Sequence, residues 1–187
     1  CELFEASINE QTQQLLNGIT ELGIFSVPIE HQDNFEVLFR RDEELTAVFH
    51  KDSVFLEDGQ KSVTLKDLED VPLSLSSGCS EIVLKAFAQK SMVPRITCTS
   101  TTRSTTLEWT RVKAAVSIVP VEEGEDLGEE FVARPISDIT ADVYKTVVKV
   151  KDRPLSVAAQ HFLKFYSKTR NSQQVCDLDA ILKSSAL

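Results

Sequence analysis

The sequence is poor in the residues that build stapled or fibrous proteins. Four cysteines, six glycines and six prolines among 187 residues exclude a disulfide-dense secreted scaffold, a collagen-like repeat and a proline-rich linker. The cysteines stand at positions 1, 79, 98 and 176 without a CxxC pair, so neither a zinc site nor a dithiol motif is expected. No apolar run approaches the ~20 residues that span a bilayer, and the amino terminus lacks the charged-then-apolar pattern of a signal peptide. Positive charge is scarce: 29 acidic residues face 20 basic ones, for a net charge of −9. Such a chain repels a phosphate backbone, and direct nucleic-acid binding by it is not expected.

Catalytic signatures are missing as well. There is no GxSxG, P-loop or GxGxxG sequence. Ser77-Gly-Cys-Ser80 would be a nucleophile only if a base converged on it. His31, His50 and His161 are too scattered for a metal site. The chain is therefore expected to be no enzyme, with no catalytic residue, metal or cofactor. It begins at Cys1 rather than at methionine, which suggests a piece of something longer, and cysteine usage fits a reducing cytoplasm.

What is present is an aliphatic α/β pattern, 42% hydrophobic, enough for one large domain or two small lobes. Residues 2–5 alternate like a short strand. Ser7-Ile-Asn-Glu10 is a capping box for a helix reaching about Asn17 and stopped by Gly18, and Glu21 to Phe25 reads as a strand, which makes a βαβ unit with a parallel pair. Residues 35–41 and 44–50 read as two strands around an Arg-Asp-Glu break. A short helix from Thr64 must stop before Pro72. Then come a strand at 73–76, a helix over 81–90 capped by Ser80, a strand at 95–98, a helix over roughly 103–114 and a strand at 116–119. Strands at 131–136 and 143–150 follow. Pro154 and Ser156 introduce a helix with Ala158, Phe162 and Phe165 on one face, and the last twenty residues carry a weaker helical pattern. The acidic run from Glu122 to Glu130 reads as a solvated loop.

Periodicity leaves one sheet or two lobes open. Several segments in order, however, are similar to the regulatory domain of LysR-type transcriptional regulators: Gly18-Ile-Thr-Glu-Leu-Gly-Ile24, Ser62 to Leu73, the Thr-rich helix entry running from Thr99 to Pro120, and Arg153-Pro-Leu-Ser followed by a helix bearing Phe162. Each is weak alone; their collinearity carries the resemblance. Two departures stand out: the family's Gly-Leu-Gly turn is Lys113-Ala-Ala115 here, where Lys suits a left-handed turn poorly, and the family's first strand and helix are absent.

The resemblance implies an α/β fold of two periplasmic-binding-protein type II-like lobes joined by two crossover strands, lobe I being residues 1–49 with 140–187 and lobe II residues 50–139. It implies a bacterial, cytoplasmic regulator sensing a small molecule, such as a carboxylate or amino acid, in a cleft and acting on DNA through a winged helix-turn-helix that this chain lacks. A transporter's solute-binding protein would share the fold. Open α/β sheets bind ligands at the carboxyl ends of strands, where helix amino termini offer free N–H groups. The expected effector residues are Ser26, Ser77, Gly78, Cys79, Ser80, Thr99, Ser100, Thr101 and Thr102, with Thr101 on the family's pocket threonine and Arg103 available for charge. A helix dipole could lower the Cys79 thiol pKa, although buried inert cysteine is the simpler expectation. Ile8, Leu15, Val83 and Phe87 are the expected contacts of a homodimer, which could itself pair into a dimer of dimers; no membrane partner is expected.

Overall fold

The computed structural model describes residues 2–26, 32–55, 59–168 and 173–174. These fall into two compact units, residues 1–42 with 144–187 and residues 43–143. The division falls within a single strand, β2 (Phe35–His50), which runs unbroken through Arg41-Asp42-Glu43, where two strands were expected, and whose two halves serve different units.

In the first unit, α1 (Ile8–Leu16) starts on the Ser7/Glu10 capping box. It ends where Gly18 takes a left-handed φ of 74°, with the Gly18 and Ile19 amides donating to Leu15 and Gln14 carbonyls. β1 (Gly23–Phe25) pairs antiparallel with β7 (Val143–Val150). The expected strand at residues 2–5 does not form: Leu3 is almost fully exposed and the segment has no ladder partner, so the βαβ reading fails with it. α4 (Val157–Tyr166) is capped by Ser156, but its buried face is not the expected one. Ala159, Leu163 and Tyr166 pack against Leu38, Phe39, Val147 and Leu155, whereas Phe162 and Phe165 are exposed. The apolar stripe lies one residue later because Tyr166 sets its ring 5.4 Å from Phe39 and under the Arg41 guanidinium. Of the last twenty residues, only β8 (Gln173–Gln174), paired with β2, is described; the helical pattern read there lies outside the described residues.

The second unit is a three-layer α/β sandwich. Its sheet contains β3 (Pro72–Ser76), β4 (Arg95–Ser100), β5 (Val116–Val121), β6 (Phe131–Pro135) and the latter half of β2. β3 is central to a parallel trio with β4 and β5 on either side; β2 joins β5 and β6 antiparallel. α2 (Ser77–Gln89) covers one face by burying Cys79, Val83 and Phe87 among Leu73, Leu75, Ile118 and Phe49. At about 1.5–3 kcal/mol for each large apolar side chain withdrawn from water, that is a firm anchor. α2 begins at Ser77, with Ser76 at the N-cap position but making no side-chain capping bond, so Ser80 lies inside the first turn and donates to the Ser77 carbonyl instead of capping.

α3 (Arg103–Arg111) covers the other face quite differently. Its two fully buried side chains are Thr106 and Thr110. Thr110 Oγ1 lies 2.6 Å from Ser117 Oγ, which donates to the Thr106 carbonyl at 2.7 Å. Hydroxyls therefore form the layer beneath this helix, with Leu107 adding apolar contact to Val48, Val119 and Val121. After α3, Lys113 does adopt a left-handed φ of 62°. The Lys113 and Ala114 amides donate to the Thr110 and Trp109 carbonyls, and Lys113 Nζ reaches Asp52 at 2.9 Å.

Candidate effector site

The winding of the second unit decides where its crevice lies. From β3 the chain passes through α2 to β4 on one side, then through α3 back past β3 to β5 on the other. The two helices therefore leave adjacent strands toward opposite faces, and a crevice opens between the carboxyl ends of β3 and β4, the place where ligands bind in open α/β sheets. Ser76 and Ser100 are register partners at that edge.

Both helix amino termini open there. The first amides of a helix have no carbonyl partner within it, and the backbone dipole makes a helix start attractive to negative or strongly polar groups. Thr102 caps α3, accepting from the Thr105 amide at 3.3 Å; Ser77 Oγ donates to the Thr101 carbonyl at 3.4 Å. The two expected hydroxyl segments are thus one cluster. Thr101, Thr99 and Ser77 are exposed, Gly78, Ser80 and Thr102 half-buried, and Ser100 buried beside Cys98, with Ser100 Oγ 3.5 Å from the sulfur. Ser26 belongs to the first unit, just after β1, and is half-buried.

Cys79 does not join this edge. Its side chain is fully buried, with the sulfur 3.1 Å from Ser76 Oγ and 3.4 Å from the Ile118 carbonyl. Burial pushes its thiol pKa up, outweighing the hydrogen bonds to Ser76, so the helix-terminus activation considered from the sequence does not operate. Leu15, Val83 and Phe87 are likewise without exposure, because each fills the core of its own unit. On the same helices, Ile8 is half-buried and Leu84 exposed.

The same edge holds charge that the sequence did not reveal. β2 runs antiparallel to β5 and β6, so the start of its second half, at Glu43, and the end of β6 arrive at the edge where β3, β4 and β5 end. A pocket of about 410 Å³ is lined there by Glu43, Glu44, Leu45, Pro135, Ser137 and Thr140, among others. Behind it, Glu43, Glu122 and Glu125 each place a carboxylate oxygen within 4.8 Å of the others. Glu43 and Glu122 are buried, which corrects the solvated-loop reading of the acidic run at its first residue. Glu125 accepts from the Glu122 amide at 3.2 Å and pairs with Arg103 at 3.2 Å; Arg103 is thereby held by a carboxylate. No motif spacing joins Glu43 to Glu122; only the register of β2 against β5 brings them together.

The sequence model of the LysR substrate binding domain matches residues 1–170. The chain belongs to that family. No curated protein matches the sequence. Among solved structures, the effector-binding domain of QuiR, in complex with shikimate, is 20% identical with a TM-score of 0.68, over 90% of this chain and 82% of that one. CbnR, a LysR family transcriptional regulator, is 21% identical with a TM-score of 0.67, over 89% of this chain and 59% of that one. HinK, a LysR family regulator from Pseudomonas aeruginosa, is 16% identical with a TM-score of 0.64, over 87% and 57%. This LysR substrate-binding domain thus spans somewhat over half the length of those two regulators. The likeness establishes the two-lobed α/β, periplasmic-binding type II-like fold inferred from the sequence. Among the described residues no helix is long and apolar enough to cross a membrane.

Proposed function

We propose that this LysR substrate-binding domain is the effector-sensing part of a bacterial, cytoplasmic transcriptional regulator. A small polar molecule binds at the carboxyl edge of β3 and β4 and biases the domain toward one of two conformations, and the change passes to a winged helix-turn-helix in the rest of the protein. The observation that carries the reading is the pair of helix amino termini, those of α2 and α3, opening side by side at the winding switch with Ser77, Thr101 and Thr102 between them. Hydroxyls and free amides recognise a polar ligand by orientation, and a differential contact of this kind is what shifts a two-state equilibrium.

Thr101 is the residue to which the ligand contact is assigned, with Ser77, Gly78, Ser80, Thr99, Ser100 and Thr102 around it. The protein acts by binding and not by turnover. Homodimerisation through α1 and α2 would place two such domains under one pair of DNA-binding domains. Thermal-shift screening of the domain against small metabolites tests the reading, with Thr101→Val as the control. A ligand that raises Tm for the native chain and not for the variant supports it; no stabilisation by any metabolite overturns it.

A further inference from the structure

The layer between α3 and the sheet of the second unit holds one hydroxyl more than it uses. Leu73 and Leu75 on β3, like Val116 and Ile118 on β5, lie in the apolar core under α2. By the alternation of a strand, Ser74 and Ser117 therefore face α3. They are register partners on neighbouring strands about 4.8 Å apart. Ser117 is bonded twice, to the Thr106 carbonyl and to Thr110 Oγ1. Ser74 is fully buried, and its Oγ has no hydrogen-bond partner among the described residues. Such a hydroxyl has lost its bonds to water without replacement, and native packing retains few of them.

The hydroxyl bonds around α3 are of unequal quality. Thr110 Oγ1 lies 2.6 Å from Ser117 Oγ but 3.4 Å from the Val48 carbonyl, and the longer contact is at the limit of a hydrogen bond. Thr106 Oγ1 donates to the Thr102 carbonyl of its own helix and so does not tie α3 to the sheet. Near the helix start, Ser77 Oγ reaches the Thr101 carbonyl only at 3.4 Å. β5 and β2 lie to one side of β3 in the sheet, so Thr110 leans away from β3, where Ser74 stands unused. We infer that α3 has two seats on this sheet. In the seat described, Thr110 is bonded to Ser117; in the other, the helix rolls toward β3 and Thr110 exchanges Ser117 for Ser74. The exchange is like for like, serine for serine, so the two seats differ little in free energy. Bonding patterns that depend on direction make them discrete states rather than a continuous slide. Thr102 and Arg103 open the helix, so the roll moves the crevice edge. The two seats rest on the packing alone; their selection by a ligand rests on the effector reading above.

Relaxation-dispersion NMR on the full chain without ligand tests the seats. The α3 amides, Arg103 to Arg111, are expected to exchange on the μs–ms scale with a minor state populated at about 0.1–10%. Ser74→Ala removes the second partner and is expected to abolish that exchange without lowering Tm, since no bond of the described seat is lost. Ser117→Ala removes the first partner and is expected to move the α3 amide shifts to those of the native chain's minor state. Exchange that persists in Ser74→Ala, or α3 amides without exchange in the native chain, overturns the inference. So does a fall in Tm for Ser74→Ala equal to that for Ser117→Ala, which would show Ser74 bonded in the described seat. None of these outcomes bears on effector binding, which the metabolite screen with Thr101→Val decides separately.

Discussion

Arg153 and Leu15 are 138 residues apart in sequence and 2.6 Å apart in space: Arg153 Nη1 donates to the Leu15 carbonyl, and Nη2 to the Leu16 carbonyl at 3.1 Å. The last carbonyls of a helix have no partner within it, and a cation there also meets the negative end of the dipole. α1 has no basic residue of its own in its last turn, so Arg153 supplies both. Arg153→Ala is expected to cost about 2–3 kcal/mol in urea denaturation. Arg153→Lys, lacking the planar fork, should recover less than half. Equal midpoints for all three chains would show the bonds to contribute nothing net.

Lys113 holds a left-handed backbone that a side chain disfavours by about 1–2 kcal/mol. Glycine relieves this but gains about 0.4–1 kcal/mol of freedom in the unfolded chain and forfeits the exposed pair with Asp52, itself of small value. Lys113→Gly is expected to raise Tm slightly, while Lys113→Ala, which keeps the strain and loses the pair, lowers it. The opposite order of midpoints in a calorimetric scan would refute this account of the turn.

Asp138 joins two parts of the second unit, accepting from the Leu65 amide at 2.9 Å and pairing with Lys90 just after α2. Burial raises its pKa, but Lys90 and the Leu65 amide together bring it below the usual aspartate value. A depressed folded-state pKa contributes stability above the unfolded value of about 3.9 and loses it as pH falls through the folded one. Native protein should therefore lose more stability than Asp138→Asn between about pH 5 and pH 3. Parallel curves for the two chains would dissociate Asp138 from acid unfolding.

Cys79 and Cys98 should separate by reactivity. Cys79 is fully buried with a raised pKa, whereas Cys98 is half-buried. At pH 8 a maleimide is expected to label Cys98 without denaturant, and Cys79 only when the domain unfolds. Rapid modification of Cys79 in the folded chain, read by peptide mass, would contradict the packing described.

Much of the fold was legible because its signals are local. Ser7 with Glu10, Ser156 before α4, and the aliphatic run of β5 each act within one turn or one strand. Other features depend on distant partners. Residues 35–50 could not be read as one strand, since Arg41 and Asp42 break the apolar pattern without breaking the extended backbone. The buried stripe of α4 turns on Tyr166 meeting Phe39, a contact between elements far apart in sequence. The hydroxyl half of the candidate site was visible as Ser and Thr at helix starts. Its acidic half was not, because Glu43 and Glu122 meet only through pairing of β2 with β5. Leu15, Val83 and Phe87 show the converse: periodicity marks a residue as apolar-facing, but does not distinguish a core from a partner surface.

The hydroxyl layer under α3 gives the proposed ligand edge its angular precision. Hydrocarbon contact is non-directional, so a helix resting on it can roll at little cost; a hydrogen bond loses most of its strength when bent. Thr110 bonded to Ser117, and Ser117 to the Thr106 carbonyl, therefore set the azimuth of α3 about its own axis. That azimuth determines where Thr102 and Arg103 stand in the crevice. A methyl in place of the Ser117 hydroxyl would leave the fold's outline intact and unpin this orientation, altering ligand discrimination from a position the ligand never touches.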